Sequence, residues 1–289
     1  MKTKASLFLI GLLALATGLH ANDHTIKGNG KVTTRTIQIS DYDEISLAGS
    51  MDFEYEQSDA APFLSITVDE NIFEYLRAEV KNGELIIGSK QEANRGNGYS
   101  LQPTVFRVKS NSRNFKTLKQ AGSGSFVVLS PLRVGALQLH TAGSGNVELK
   151  QALTGDELKI NLAGSGNVTA KGTVKVKEAH LSLSGSGQVK TSGIEVESLH
   201  CSLSSSGGIR VEGSAQEANY SLAGSGSIKA YDCKATRVKA SLTGSGRIET
   251  HAVESLSANT MGSGSITYKG SPTSVKENTT GSGSIRQAR

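Results

Sequence analysis

A Gly-Ser-Gly triplet recurs through the second half of the chain at a nearly constant interval, and no other feature restricts the possible folds so tightly. It begins at Gly122, Gly143, Gly164, Gly185, Gly224, Gly244, Gly262 and Gly281. Ser205-Ser206-Gly207 stands in the one remaining place, so successive spacings run from 18 to 21 residues. Self-similarity at a period of this size marks a repeat architecture. Other positions keep the same register. Four residues after each first glycine come Phe126, Val147, Val168, Val189, Ile209, Ile228, Ile248, Ile266 and Ile285. Two before come Thr141, Leu162, Leu183, Leu203, Leu222, Leu242 and Thr260, and four before come Leu139, Ile160, Leu181, Cys201, Tyr220, Ala240 and Ala258.

Apolar residues alternating with polar ones on both sides of a glycine corner specify strand, corner, strand, with one face of each strand directed inward. A helical repeat cannot produce these columns. A coil of this length at ~3.3 Å per residue has a perimeter of roughly 65 Å, enough for a small cross-section filled by side chains. Nine coils about 4.8 Å apart make a rod about 40 Å long. The expected fold is therefore all-β, a right-handed parallel β-helix or β-solenoid with roughly 20-residue coils. The handedness is taken from the rule for parallel crossovers.

Upstream the pattern is less regular. Gly49-Ser50, with Ile45 and Leu47 before and Phe53 and Tyr55 after, fits the register, and Gly28-Asn29-Gly30, with Val32 at the inward offset, is expected to form a still earlier corner. Between Gly49 and Gly122 the triplet is absent for 73 residues, read as some three longer coils. This stretch holds Asp69 to Arg77, with the pattern of one short amphipathic helix, then an Asn82-Gly83 turn, an Ile86-Ile87 strand and a polar Gly-rich loop over Gln91 to Gln102. The division expected is 22–110 for an irregular N-terminal β region and 111–289 for the regular solenoid.

Residues 1–21 read as a secretory signal peptide. Lys2 and Lys4 precede an apolar run from Ala5 to Leu15 that is too short for a membrane span. Cleavage after Ala16 and cleavage after Ala21 both fit. No cysteine lies near either site for an acyl anchor, and no later stretch is long and apolar enough to span a membrane as a helix. The chain is thus expected to be exported to the periplasm, the outer membrane or the cell surface. Losing Lys2 and Lys4 lowers the formal charge from +5 to +3. With no dense basic block and few aromatic residues, nucleic acid is a poor partner.

The Gly-Ser-Gly-Asn/Ser-Val/Ile repeats resemble a known family, as do Asp69-Glu70-Asn71 followed by Asn82-Gly83-Glu84-Leu85-Ile86-Ile87 and the signal peptide. They are similar to the autotransporter adhesin head GIN-domain proteins of Gram-negative bacterial envelopes, and the likeness covers nearly all of the chain after residue 21. It implies a right-handed β-helix-like fold and a role in cell adhesion, and it brings no catalytic residues. The ladder runs to within a few residues of Arg289, leaving no room for a membrane β-barrel, so a self-sufficient autotransporter is not expected.

Candidate sites are few. The residue after each triplet forms a polar outward column, Ser125, Asn146, Asn167, Gln188, Gly208, Ser227, Arg247, Ser265 and Ser284. Of these Ser125, Asn146, Asn167, Gln188, Ser227 and Arg247 are the expected contact strip for a surface polysaccharide or envelope protein. The alternative is a purely structural ladder of stacked amides and hydroxyls. Glycine's dihedral freedom accounts for the triplet itself without any ligand. His180 and His200 share one offset in adjacent coils and could hold a soft metal between them, but two ligands do not define a site and no metal or other cofactor is expected. Cys201 falls in an inward column and Cys233 does not align with it, which predicts two free thiols. Acidic residues are scattered over different offsets, and there is no nucleophile elbow, zinc-type histidine motif or phosphate loop, so catalysis is not expected. The alternatives to a non-catalytic binding protein are a polysaccharide-active enzyme on a β-helix and a self-assembling periplasmic scaffold, the latter pairing through its ends or sides. Glu277 and Thr279 replace apolar residues in the last coil and are expected to blunt that end.

Overall fold

The computed structural model describes residues 25–91 and 99–288. The signal peptide expected over residues 1–21 lies outside the described residues, as does most of the loop expected over Gln91–Gln102. The fold is a β-solenoid of about nine turns.

Each coil has three sides. One precedes the glycine corner, in strands Thr117–Gly122, Ala136–Gly143, Glu157–Gly164 and Glu178–Gly185. The second follows it, in Ser125–Val128, Asn146–Leu149 and Asn167–Ala170. The third is short, in Leu132–Arg133, Leu153–Thr154 and Val174–Lys175. From Gln188 onward the sides merge into long bent strands, Gln188–Ser204, Gly208–Gly224, Ser227–Gly244 and Arg247–Gly262. All neighbouring coils pair in parallel. Val147 lies opposite Val168, Val168 opposite Val189, and the column continues through Ile209, Ile228, Ile248, Ile266 and Ile285. The predicted aliphatic columns are thus one continuous interior.

Bulk is balanced along these columns. Tyr220 is flanked above and below by Cys201 and Ala240, so one large side chain sits between two small ones. Such alternation lets stacked layers interdigitate at native density. At the N-terminal end Phe53, Tyr55, Phe115 and Phe126 stack with ring centroids 4.6 to 6.2 Å apart.

The corners depend on glycine for two reasons. Gly164 has φ of 133°, and a Cβ there would lie 2.1 Å from the carbonyl oxygen of Gly143 in the preceding coil. That same carbonyl accepts the N–H groups of Ser165 and Gly166 at 2.9 and 3.2 Å. Glycine meets both demands without strain, since it has no Cβ to disfavour positive φ or to clash at so close a backbone approach.

The upstream region departs from a simple ladder in two places. The coil containing Gly49 stacks directly on the coil containing Gly122, with Ala48 opposite Ala121 and Phe53 opposite Phe126. The residues between them are therefore an insertion, not three longer coils. Two of its strands, Glu84–Ser89 and Phe106–Ser112, pair in parallel beneath Glu44–Ala48 and Asp52–Gln57 and supply one further layer. Antiparallel strands Leu76–Lys81, Phe63–Asp69 and Val32–Gln38 then close that end. Gly28-Asn29-Gly30 is not a solenoid corner either. Val32 belongs to an antiparallel edge strand and is 44% exposed, because the chain wraps here around the buried carboxylate of Asp69. The amphipathic segment after Asp69 forms a short 3-10 helix, Glu70–Tyr75, with Ile72 buried.

The opposite end is open. Strands Ser274–Gly281 and Ser284–Gln287 each pair on one side only, and Glu277 and Thr279 are exposed there. Among the described residues no helix is long and apolar enough to cross a membrane.

Candidate binding groove

On the side that follows the corner, inward apolar residues leave two outward columns two residues apart. The first is the polar column read from the sequence, with Ser125, Asn146, Asn167, Gln188, Gly208, Ser227 and Arg247 in consecutive register. The second carries Val127, Glu148, Thr169, Lys190, Arg210, Lys229 and Glu249. Between them run two shallow concavities of about 630 Å³ and about 200 Å³. They share Gln188 and Lys190 and so form one groove along the rod. Ser125, Asn146, Asn167, Gln188 and Ser227 line it, whereas Arg247 continues the column beyond it. The second column was equally available in the repeat, at the residue two places after the polar one.

The polar column is partly self-satisfied at one end. Asn146 Oδ1 accepts the Asn167 N–H at 3.1 Å and the Asn167 side-chain amide at 2.9 Å, and Ser125 donates its hydroxyl to Asp52 at 2.6 Å. Stacked amides commonly form such ladders. Toward Gln188 and Ser227 no comparable lateral bond joins the column among the described residues.

The histidine pair lies on the side that precedes the corner. His180 and His200 stack with ring centroids 4.8 Å apart and planes within 4°. His180 Nε2 is 3.6 Å from Glu178, and His200 Nε2 is 3.0 Å from the Ser198 hydroxyl. Burial, and then the neighbouring His180, push the His200 pKa below the ordinary imidazole range. Among the described residues no group of three or more His, Cys, Asp or Glu side chains could hold a metal. Cys201 and Cys233 are free and buried, with Tyr220 beside both, so both face the interior although their columns differ. Burial pushes the Cys233 thiol up to about 11 and raises Cys201 too, which leaves both protonated and inert.

A larger concavity, about 1050 Å³, lies where the hairpin Leu76–Lys81/Glu84–Ser89 flanks the first coils. Ala48, Ile86, Gly88 and Ala121 line it together with Lys119, whose ammonium pairs with Glu44 and Glu84 at 3.1 and 3.0 Å. It arises from the inserted hairpin, whose docking on Glu44–Ala48 has no signal in the repeat.

A family profile described as "Putative auto-transporter adhesin, head GIN domain" matches residues 41–182 and 158–272. The chain belongs to this head GIN-domain family. Three solved structures are similar over their whole length. A protein of Parabacteroides distasonis ATCC 8503 titled "Putative lipid binding protein" is 43% identical, with 92% of this chain and 100% of that one covered and a TM-score of 0.72. A "putative adhesin" of Parabacteroides merdae ATCC 43184 is 31% identical over 92% of this chain and 100% of the other, with a TM-score of 0.73. A second P. distasonis "putative adhesin" is 31% identical over 91% and 100%, with a TM-score of 0.70. No curated protein matches the chain. The two head GIN-domain matches together run from the first coil through the inserted N-terminal layer and most of the ladder.

Proposed function

We infer that this head GIN-domain chain is a non-catalytic, exported envelope or surface protein. It binds a surface polysaccharide, or a protein presenting extended polar surface, along the side of the solenoid. The observation that carries this is the groove between the two outward columns. It repeats one set of polar positions at every coil, about 4.8 Å apart, and so presents a linear array to a linear ligand. The family description and two of the three similar structures carry the name adhesin, which supports this reading. A glycan array probed with the purified protein tests the reading, each hit then being incubated and checked for chain cleavage. Binding without cleavage is expected, and variants of Asn146 and Asn167 should weaken it. Cleavage would establish an enzyme instead, and a hit unaffected by groove variants would move the site elsewhere.

The hairpin concavity supports a second reading, because its apolar floor suits an acyl chain and a relative sharing 43% identity is titled a putative lipid binding protein. Lipid recovered from the purified protein by solvent extraction would favour that site over the groove.

A further inference from the structure

One coil breaks the repeat at both ends of its corner. Ser205 stands where its neighbouring coils have Gly185 and Gly224, and it holds φ of 139°, a region that L side chains rarely adopt. Three residues later Gly208 occupies the polar outward column, where every other coil from Ser125 to Ser284 presents a side chain. The corner glycines are required by dihedral or by contact, but Gly208 is not. Its φ is not positive, and a Cβ built on it meets nothing nearer than the Ser227 hydroxyl at 3.8 Å. An ordinary side chain would therefore fit. Glycine inside a strand weakens it and often marks a place where another molecule comes close.

The gap that Gly208 leaves is the concavity of about 200 Å³, bounded along the column by Gln188 and Ser227 and flanked by the second column. There Lys190, Arg210 and Lys229 are consecutive register partners, three like charges on adjacent coils. Like charges directly opposite one another are unfavourable in a sheet, so an anion between them is stabilising. Arg210 pairs with Glu212 at 2.8 Å and Asp232 at 3.5 Å, both toward the following corner and away from Gly208. Glu249 is the register partner of Lys229 on the far side. Among the described residues Lys190 and Lys229 have no carboxylate within ion-pair distance, and both are exposed beside the gap.

We propose that the notch at Gly208 receives a carboxylate or sulfate group of a linear acidic polysaccharide lying in the groove. The inference rests on the groove being the binding surface and adds the class of ligand. The backbone of the notch admits the anionic substituent. Lys190 and Lys229 neutralise it from either side, and Gln188 and Ser227 offer hydrogen bonds to adjacent hydroxyls. One coil step is close to the length of one hexose unit, so successive sugars fall on successive coils.

Biolayer interferometry on the purified protein can test this with polygalacturonate, dextran sulfate, neutral dextran and phosphatidylglycerol vesicles. One or both acidic polymers should bind and neutral dextran should not. Gly208→Asn restores the repeat's own residue type, and Gly208→Ala is the smaller filling. Each should keep or raise the melting temperature. Gly208→Asn and the double variant Lys190→Gln/Lys229→Gln should each weaken binding at least about tenfold. Lys239→Gln, an exposed cation on another side, should change it by less than about twofold. An equal loss in Lys239→Gln would overturn the notch in favour of diffuse charge. Neutral dextran bound as well as the acidic polymers, or acidic binding indifferent to Gly208→Asn, would overturn the notch and leave the groove standing. Preference for the vesicles would replace a polysaccharide with a membrane surface. If none of the probes binds, the acidic ligand class is wrong, and the glycan array then judges the groove by itself.

Discussion

Single residues at the corners carry an uneven share of the stability because successive coils approach so closely there. Gly164→Ala would force both a side chain at φ of 133° and a contact of 2.1 Å with a backbone oxygen that cannot move without disturbing the next coil. A loss of roughly 2–4 kcal/mol is expected from strain and overpacking together. The converse substitution is available two coils along. Ser205→Gly relieves a strained dihedral and, after allowing for glycine's greater entropy when unfolded, should stabilise by roughly 1 kcal/mol. For a chain of this size that is a rise of about 2–4 °C in melting temperature. Thermal unfolding of the two variants followed by circular dichroism checks both signs. If Ser205 is retained for binding, its glycine variant should gain stability and lose affinity together.

At the scale of an element, the antiparallel cap is held by one buried charge. Asp69, at the end of strand Phe63–Asp69, accepts the Gly30 N–H at 2.8 Å, the Thr104 N–H at 2.7 Å and the Thr104 hydroxyl at 2.8 Å. Burial opposes the ionised form, but these hydrogen bonds outweigh it and hold the carboxyl below the usual aspartate range. The sign of the pH effect follows. The stabilisation is complete above the unfolded value of about 3.9 and disappears as pH falls through the lower folded value. Asp69→Asn replaces one acceptor by a donor, which then faces the N–H of either Gly30 or Thr104, and should cost about 1–3 kcal/mol at neutral pH. It should also flatten the dependence of melting temperature on pH below about 4, which a series of thermal scans would measure. Gly28 belongs to the same arrangement, since a Cβ there would lie 2.4 Å from the Asp69 carboxylate. A flat acid limb in the wild type would remove Asp69 as the group that ties the cap.

For the whole molecule, backbone pairing joins each coil only to the coils directly above and below it, so the coil is the unit that can be added or removed. Deleting residues 165–185 joins Gly164 to Ser186 and recreates a corner with every inward column still aligned. That protein should fold and unfold cooperatively, at a cost of about 1–3 kcal/mol for the lost coil. Deleting only 165–174 shifts the remaining register and should give an unfolded or aggregated product in size-exclusion chromatography. Comparable behaviour of the two deletions would contradict a stack of equivalent coils. The two ends differ in kind, one covered by antiparallel strands and the other presenting Ser274–Gly281 with an unpaired edge. Its polar Glu277 and Thr279 follow the usual way of discouraging edge-to-edge pairing.

Periodicity alone determined the solenoid, its coil length, its inward columns and the burial of Cys201, because a stacked parallel coil converts sequence interval directly into spatial contact. The outward polar column was legible for the same reason, as was the stacking of His180 on His200. What the interval could not encode was anything that leaves the stack. The insertion after Gly49 folds back to cap the coils already made. Gly28 serves the carboxylate of Asp69, distant in sequence, and the hairpin concavity exists only because Leu76–Lys81 docks beside the ladder. The notch at Gly208 belongs between the two cases. Its glycine was visible in the sequence, but only coordinates decide that nothing in the packing requires a glycine there.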